Sequence, residues 1–138
     1  MGKQTDFLVI GSGLAGLNYA LKVADHGHVT IVTKGEINQC NTSYAQGGIC
    51  CVTYPPDTFE KHIEDTMICG AGLCHEAAVT QVVTKAPHRI TELIKWGVRF
   101  DQTPEGEYEL AREGGHSECR ILHHKDITGE KIERAFLT

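Results

Sequence analysis

Asp6-Phe7-Leu8-Val9-Ile10-Gly11-Ser12-Gly13-Leu14-Ala15-Gly16 gives the clearest indication of architecture in this chain of 138 residues. The run from Phe7 to Ile10 is apolar, as is typical of a buried parallel strand. After the glycines, apolar residues recur at helical spacing until Gly27, where a helix is expected to end. A second apolar run, Val29 to Thr33, follows at once. The pattern predicts a strand–turn–helix–strand unit of about thirty residues.

Each glycine of this turn has a distinct expected role in binding a dinucleotide. Gly11 would make the sharp turn out of the strand, Gly13 would let the backbone approach a pyrophosphate, and Gly16 would let the helix lie close to the sheet. The free amides at the helix N-terminus attract phosphates. A simple tight turn could also use three glycines, but the position between strand and helix favours the dinucleotide interpretation.

Composition excludes several classes of partner. The formal net charge is −5 and no run of Lys and Arg is present, so we expect no nucleic acid and no anionic membrane surface as a partner. No apolar run has the length of a membrane-spanning helix. The first strand begins by residue 6, which leaves no room for a signal peptide. We therefore expect a soluble, cytoplasmic protein.

The six cysteines show no CxxC spacing, and we expect reduced, mostly buried thiols. A metal site could be assembled from Cys74-His75, His116, Cys119 and His123-His124. These spacings match no familiar zinc module, so we expect no metal.

The rest of the chain is expected to add helices and short strands to the β-α-β unit. We predict a strand from Ile49 to Tyr54, helices over Thr58–Cys69 and His75–Trp96, a hairpin over Val98–Leu110, a short strand over Arg120–His123, and a final helix capped by Thr128. The predicted core face of the longer helix consists of Val79, Val82, Val83, Ala86, Ile90, Leu93 and Ile94. Only two strands of a doubly wound sheet are identifiable, so we expect the front part of a larger α/β protein.

Four segments, Ile10–Gly16, Thr33–Gly35, Thr42–Gly48 and Arg112–His116, give the chain a family resemblance. It resembles the L-aspartate oxidases, flavoproteins of the succinate dehydrogenase and fumarate reductase superfamily. The resemblance implies that residues 1–138 are the N-terminal part of a Rossmann-like FAD-binding domain, incomplete and truncated relative to the family. The glycine loop of Gly11, Ser12, Gly13, Leu14, Ala15 and Gly16 would then bind the FAD pyrophosphate.

The resemblance also assigns the end of the second strand and the loop beyond it. Lys34 would contact the adenosine half of FAD, although a solvated lysine at a strand end is the alternative. The segment matching the loop beneath the isoalloxazine is Asn41, Thr42, Ser43, Tyr44, Ala45, Gln46, Gly47 and Gly48. Asn41 stands where related membrane-bound dehydrogenases have a histidine covalently linked to FAD, so non-covalent FAD is expected. Gly47-Gly48 could alternatively form a simple turn.

Glu113 is the residue that points to an amino-acid substrate. L-aspartate oxidases carry Glu before the paired glycines, where fumarate and succinate enzymes typically carry an apolar residue. A partly desolvated carboxylate would pair with the substrate ammonium. The alternative is a surface ion pair with an arginine. We assign no catalytic role to Arg112 or His116, because either could be structural.

The implied reaction is FAD-dependent oxidation of L-aspartate to iminoaspartate, with oxygen or fumarate as the final acceptor. The product would pass to quinolinate synthase in NAD biosynthesis. Two alternatives stay open: a flavoprotein subunit of the fumarate reductase or succinate dehydrogenase type, and an inactive truncated fragment that associates with itself.

Overall fold

The structure is a computed structural model that describes residues 4–138. The predicted β-α-β unit lies within residues 7–32. Strand β1 (Phe7–Ile10) leads through the glycine turn into helix α1 (Leu14–Val23), a short 3-10 turn (Ala24–His26) and strand β2 (Val29–Val32). The two strands are parallel, with Phe7 opposite Val29. The predicted unit is confirmed.

One expectation for these strands is wrong, since their side chains are only partly buried. Val9 is buried, whereas Leu8 is 58% exposed and Ile10 is 84% exposed. Leu8 and Ile10 lie on the same face of β1, because side chains alternate along a strand. Nothing in the described part of the chain covers that face.

A second, antiparallel sheet has the order β3-β5-β4; strands were predicted near Ile49 and Ile121, but their pairing was not. Its strands are β3 (Ile49–Cys50), β4 (Leu110–Ala111) and β5 (Ile121–Leu122). The strand predicted from Ile49 to Tyr54 is therefore much shorter. The Cys51 amide still donates to the Arg120 carbonyl (2.8 Å), but Pro55 and Pro56 soon follow, and proline has no amide for a ladder.

Two packed helices lie between β3 and β4. Helix α2 (Phe59–Cys69) has Thr58, the first residue of the predicted helix, as its N-cap. The Thr58 hydroxyl accepts a hydrogen bond from the Lys61 amide (3.3 Å). Helix α3 (Glu76–Lys95) contains Pro87 and is followed by Gly97 in the left-handed conformation (φ +100°). The hairpin predicted next is confirmed by a bridge between Gln102 and Tyr108.

Helix α4 (Thr128–Leu137) starts differently from the prediction. Ile127 occupies the N-cap position, and Thr128 is the first helical residue. The Thr128 hydroxyl accepts a hydrogen bond from the His124 amide at 2.9 Å. The hydroxyl therefore closes the preceding turn and does not cap the helix.

The core joins α1, α3, β5 and α4. Its buried members are Leu17, Cys51, Ile90, Leu93, Val98, Phe100, Leu122, Ile132 and Phe136. Val82 was predicted to belong to this core but is 70% exposed. Adjacent residues of a helix point about 100° apart, so burial of Val83 turns Val82 outward. No helix among residues 4–138 is long and apolar enough to span a membrane.

Candidate functional site

The glycine turn has the geometry of a close strand–helix junction. Gly11 adopts a left-handed conformation (φ +105°), with open space where a Cβ would lie. A Cβ on Gly16 would collide with the Gly11 carbonyl oxygen and press on Val9. Gly13 has an ordinary φ of −71°, so its backbone alone does not require glycine. The packing role predicted for Gly16 and the turn predicted at Gly11 are both present.

A cleft of about 670 Å³ opens beside this turn. It is lined by Ile10, Gly11, Ser12, Gly13, Val32, Thr33, Lys34, Gln39, Cys40, Asn41, Thr42 and Tyr44. Seven of the residues predicted to bind FAD therefore meet at one surface, at the carboxyl ends of two parallel strands. This is where open α/β sheets bind ligands.

Thr42 connects the glycine turn to the following loop. Its hydroxyl accepts a hydrogen bond from the Leu14 amide (3.0 Å) and lies 3.4 Å from where a Cβ of Gly13 would be. The loop thus caps α1 across 28 residues of sequence. This role has no signature in the sequence, because a cap contributed by a distant segment leaves no local pattern.

The cleft fits a dinucleotide on three observations. The helix N-terminus faces it, and the Gly11 backbone is open on that side. Lys34 supplies an exposed cation at its edge. Glycine backbone and a positive dipole end suit a pyrophosphate, and an ammonium at the end of the second strand can donate hydrogen bonds to the ribose hydroxyls of the adenosine half.

The predicted flavin loop, residues 41–48, is held by hydrogen bonds to the segment just before it and to the start of α4. The Ser43 hydroxyl donates to the backbone oxygen of Asn38 or Cys40, each 2.8 Å away. The Ala45 carbonyl accepts from the Gly129 amide (3.0 Å), and a Cβ on Gly129 would collide with the Thr42 carbonyl oxygen. Gly129, at the start of α4, is a loop-positioning residue that the sequence did not reveal.

The paired glycines of the loop differ in their surroundings. A Cβ on Gly48 would collide with the Ile121 side chain and the Leu122 carbonyl, so packing against β5 is sufficient to require glycine there. A Cβ on Gly47 would instead face the Glu113 carboxylate, 3.7 Å away. Packing alone is therefore a sufficient reason for glycine at position 48. Gly47 lies beside the Glu113 carboxylate, the predicted substrate-binding group.

Glu113 lines a smaller cleft of about 290 Å³, together with Gln46, Gly47, Gly48, Ala111, Ile121, His123, Lys125 and Asp126. Its side chain is exposed, so the expected partial desolvation is absent here. No salt bridge between Glu113 and an arginine is present within residues 4–138. The surface-pair alternative therefore has no support in this geometry.

A buried ion network fixes the end of the loop that carries Glu113. Arg120 is fully buried and binds Asp57 through two hydrogen bonds, Nε to Oδ2 (2.9 Å) and Nη2 to Oδ1 (2.8 Å). Its Nη1 atom donates to Asp65. Asp65 also accepts hydrogen bonds from the amide and the hydroxyl of Ser117, both at 2.8 Å. Bidentate pairing of this kind is geometrically specific.

The same contacts set the protonation of the network. Burial alone would raise the pKa of Asp65, but hydrogen bonds from Ser117 and Arg120 outweigh it and lower the pKa to about 2. Burial would lower the pKa of Arg120, but Asp57 and Asp65 raise it instead. Asp65 and Arg120 are therefore ionised at neutral pH.

A thiol and two imidazoles form a separate cluster of Cys50, His62 and His116. Cys50 Sγ lies 3.6 Å from His116 Nε2, and the two histidine rings are edge to face at 6.0 Å. Burial, then the charge of Glu113, raises the pKa of the Cys50 thiol. Burial, then the charge of Arg120, lowers the pKa of His62.

The cysteines agree only partly with expectation. All six are free, as expected, but Cys69 and Cys119 are exposed and only Cys51 is fully buried. The metal-ligand set considered from sequence, which included Cys74, Cys119 and His123, does not come together. The one group of three potential ligands in the described part of the chain shares only His116 with it.

The similarity of this chain to known proteins agrees with a dinucleotide-binding role for the cleft. The model of the FAD binding domain family matches residues 6–138. The chain is 55% identical over 135 residues to the chloroplastic L-aspartate oxidase of Arabidopsis thaliana, covering 98% of this chain and 21% of that protein. It is 47% identical over 133 residues to the L-aspartate oxidase of Yersinia pestis, covering 94% of this chain and 25% of that protein.

Two solved structures share the fold. The E. coli quinol fumarate reductase superposes with a TM-score of 0.90 at 29% identity, over 98% of this chain and 24% of that one. Mycobacterium smegmatis Sdh1 gives a TM-score of 0.87 at 32% identity, over 96% and 23% of the two chains. The chain thus spans 21% to 25% of the length of these relatives. It belongs to the FAD binding domain family.

Proposed function

We propose that this chain forms part of the FAD-binding domain of an enzyme that oxidises L-aspartate to iminoaspartate. The observation that carries the proposal is the position of the Glu113 carboxylate, 3.7 Å from a Cβ site on Gly47 in the predicted flavin loop. An anionic group beside that loop suits a substrate that carries an ammonium group. The names of the curated relatives support the same substrate.

The roles of the chain's own residues follow from their positions. The Gly11–Gly16 turn and the N-terminus of α1 would bind the pyrophosphate, with Lys34 beside the adenosine half. When bound, FAD supplies the acceptor for the hydride that leaves the substrate Cα. Glu113 would pair with the substrate ammonium and orient that carbon. The exposed carboxylate would lose water only as the substrate arrives, which strengthens the pairing.

Several parts of the proposal concern the whole protein. Oxygen or fumarate would accept the electrons, the product would pass to quinolinate synthase for NAD biosynthesis, and the enzyme would work in the cytoplasm. Residues 1–138 would be the N-terminal part of its FAD-binding domain. The second candidate, a fumarate reductase or succinate dehydrogenase flavoprotein, is supported by the superposition on the E. coli enzyme, and Glu113 argues against it.

The test is turnover by the purified full-length protein. We expect a flavin absorption spectrum, reduction of that flavin by L-aspartate in the absence of oxygen, and little reduction by succinate. Reduction by succinate but not by L-aspartate would reject the proposed substrate and favour the second candidate. A colourless protein that takes up no added FAD would reject both.

Attachment of the cofactor has its own test. We propose that FAD is held non-covalently, because Asn41 offers no nucleophilic ring nitrogen for a covalent bond to the flavin. Denaturation of the full-length protein by acid or heat should release all flavin into the supernatant. Flavin that stays with the precipitated polypeptide would contradict this assignment.

A further inference from the structure

Three potential metal ligands meet outside the predicted cofactor cleft. Cys50 ends β3, His62 lies on α2, and His116 lies in the loop between β4 and β5. One donor atom from each residue lies within 4.8 Å of the other two. Three separate segments of chain thus direct a sulfur and two ring nitrogens toward one point.

The spacing of the Cys50 and His116 atoms matches a tetrahedral zinc ion. Zinc binds thiolate sulfur at about 2.3 Å and imidazole nitrogen at about 2.0–2.1 Å. At the tetrahedral angle these bond lengths place sulfur and nitrogen roughly 3.6 Å apart. Cys50 Sγ and His116 Nε2 are separated by 3.6 Å. A zinc ion therefore needs almost no movement of this pair.

The two imidazoles have unused hydrogen-bonding capacity. The Nδ1 atoms of His62 and His116 are both buried and have no hydrogen-bond partner. His62 as a whole is 7% exposed. Unpaired polar atoms are costly in a protein interior, and such cases call for a specific explanation. Coordination of an ion through Nδ1 of His62 would supply one for that atom, whereas His116 faces Cys50 with its Nε2 atom and would keep its Nδ1 unpaired.

The surroundings allow a cation to enter and remain. A groove of about 380 Å³, lined partly by Cys50, His62, Thr66 and Val82, opens onto the cluster and has room for a water molecule. The negative charge of Glu113 acts on the Cys50 thiol more strongly than the positive charge of Arg120, so the balance of these charges at the sulfur favours a cation.

We propose that Cys50, His62 and His116 bind one zinc ion, with a water molecule from the groove as the fourth ligand. Zinc displaces the thiol proton of Cys50, which passes to solvent, and bonds to the resulting thiolate and to one nitrogen of each ring. The ion ties the loop that carries Glu113 to α2 and β3. The site is separate from the cofactor cleft and does not depend on the reaction proposed above.

The test uses the full-length protein, treated with a chelator and then titrated with zinc or cobalt. We expect one equivalent of zinc per chain and, with cobalt, the intense near-ultraviolet band that marks a thiolate–cobalt bond. Cys50→Ala should abolish that band and weaken zinc binding by more than about 100-fold, since even residues that only support metal ligands contribute up to that factor. His62→Gln should weaken binding similarly.

Matched controls separate this site from adventitious thiols. Cys119→Ala removes an exposed cysteine and should leave zinc stoichiometry and the cobalt band unchanged. Cys50→Ala is a small change, and an unaltered circular dichroism spectrum will show that it still folds. The proposal is overturned if wild type binds no zinc at micromolar concentrations, if Cys50→Ala binds it as tightly as wild type, or if bound cobalt lacks the thiolate band.

Discussion

Glu113 is the residue on which substrate preference depends in our proposal. Replacing it with Gln keeps the shape but removes the charge that would face the substrate ammonium. Loss of such a contact is worth about 2–4 kcal/mol, or roughly 30- to 1,000-fold in kcat/KM for L-aspartate. Fumarate reduction by the same variant should fall far less, since fumarate has no ammonium group. Both activities would be measured side by side in the full-length enzyme.

The control for this experiment is Glu109→Gln, which removes an exposed carboxylate four residues earlier in the chain. It should leave both activities near their wild-type values. Equal losses of the two activities in Glu113→Gln would show that Glu113 acts on the structure of the loop. The ground for preferring L-aspartate over succinate would then be lost.

Gly13 and Gly16 are both glycines of the turn, but they should respond differently to alanine. A Cβ on Gly13 would make only an ordinary contact with Thr42, whereas a Cβ on Gly16 would strike the Gly11 carbonyl oxygen. We expect Gly13→Ala to lower FAD affinity with little change in the stability of the apoprotein. Gly16→Ala should lower both, the stability by about 1–3 kcal/mol. Flavin content and urea unfolding would be compared, and similar behaviour of the two variants would contradict this division of roles.

Helix α2 and the loop before β5 are joined by the Arg120 network, which should make stability depend on acid pH. Asp65 has a pKa of about 2 in the fold, below the ordinary value for an aspartate. Its contribution is therefore complete above about pH 4 and is lost as the pH falls toward 2. A shift of this size corresponds to about 2 kcal/mol.

The variant that tests this is Asp65→Asn, compared with wild type by urea unfolding across that range. The difference in free energy of unfolding should be largest above pH 4 and should shrink toward pH 2. Glu64→Gln changes an exposed neighbour on α2 and should show no such dependence. A stability difference that stays constant from pH 6 to pH 2.5 would rule out the low pKa of Asp65.

Elements with a local pattern were predictable from the sequence, while those built by distant pairs were not. The β1–α1–β2 unit follows from apolar runs separated by glycines, and Thr58 was recognisable as a helix start. The pairing of Arg120 with Asp57 joins residues 63 positions apart, and nothing in the sequence around either residue indicates the other. The pairing of the antiparallel β3-β5-β4 sheet escaped prediction for a related reason, since its strands are far apart in the chain and nothing near one strand indicates its partner.

The candidate site likewise has parts that were predictable from the sequence and parts that depend on contacts between distant segments. The glycine turn, Lys34 and Asn41 were all predicted to bind FAD, and residues Gly11 to Gly13, Lys34 and Asn41 line one cleft. The contacts that hold the flavin loop, Thr42 on Leu14 and Gly129 on Ala45, come from segments far apart in the chain. The exposure of Val82 shows that an apolar stripe gives the buried face of a helix only approximately.

On the scale of the whole molecule, the uncovered face of β1 has a consequence for the 138-residue chain expressed alone. Leu8 and Ile10 present adjacent apolar side chains beside an unpaired strand edge, and such surfaces promote association. We expect this chain to self-associate and to lack L-aspartate oxidation. Sedimentation velocity should show oligomers that shift toward monomer in Leu8→Lys. A wild-type monomer that turns over L-aspartate would contradict both expectations.

Thr42 and Gly129 together make the two ends of the cofactor cleft depend on each other. The first turn of α4 packs on the backbone oxygens of the loop at Thr42 and Ala45, and the Thr42 side chain holds the first amide of α1. Binding of a dinucleotide at the glycine turn therefore also favours docking of α4 on the loop. Because such coupling is reciprocal, docking of α4 raises the affinity for the dinucleotide by the same factor. The affinity for the dinucleotide is thus set in part by a helix whose first residue lies more than a hundred positions after the glycine turn.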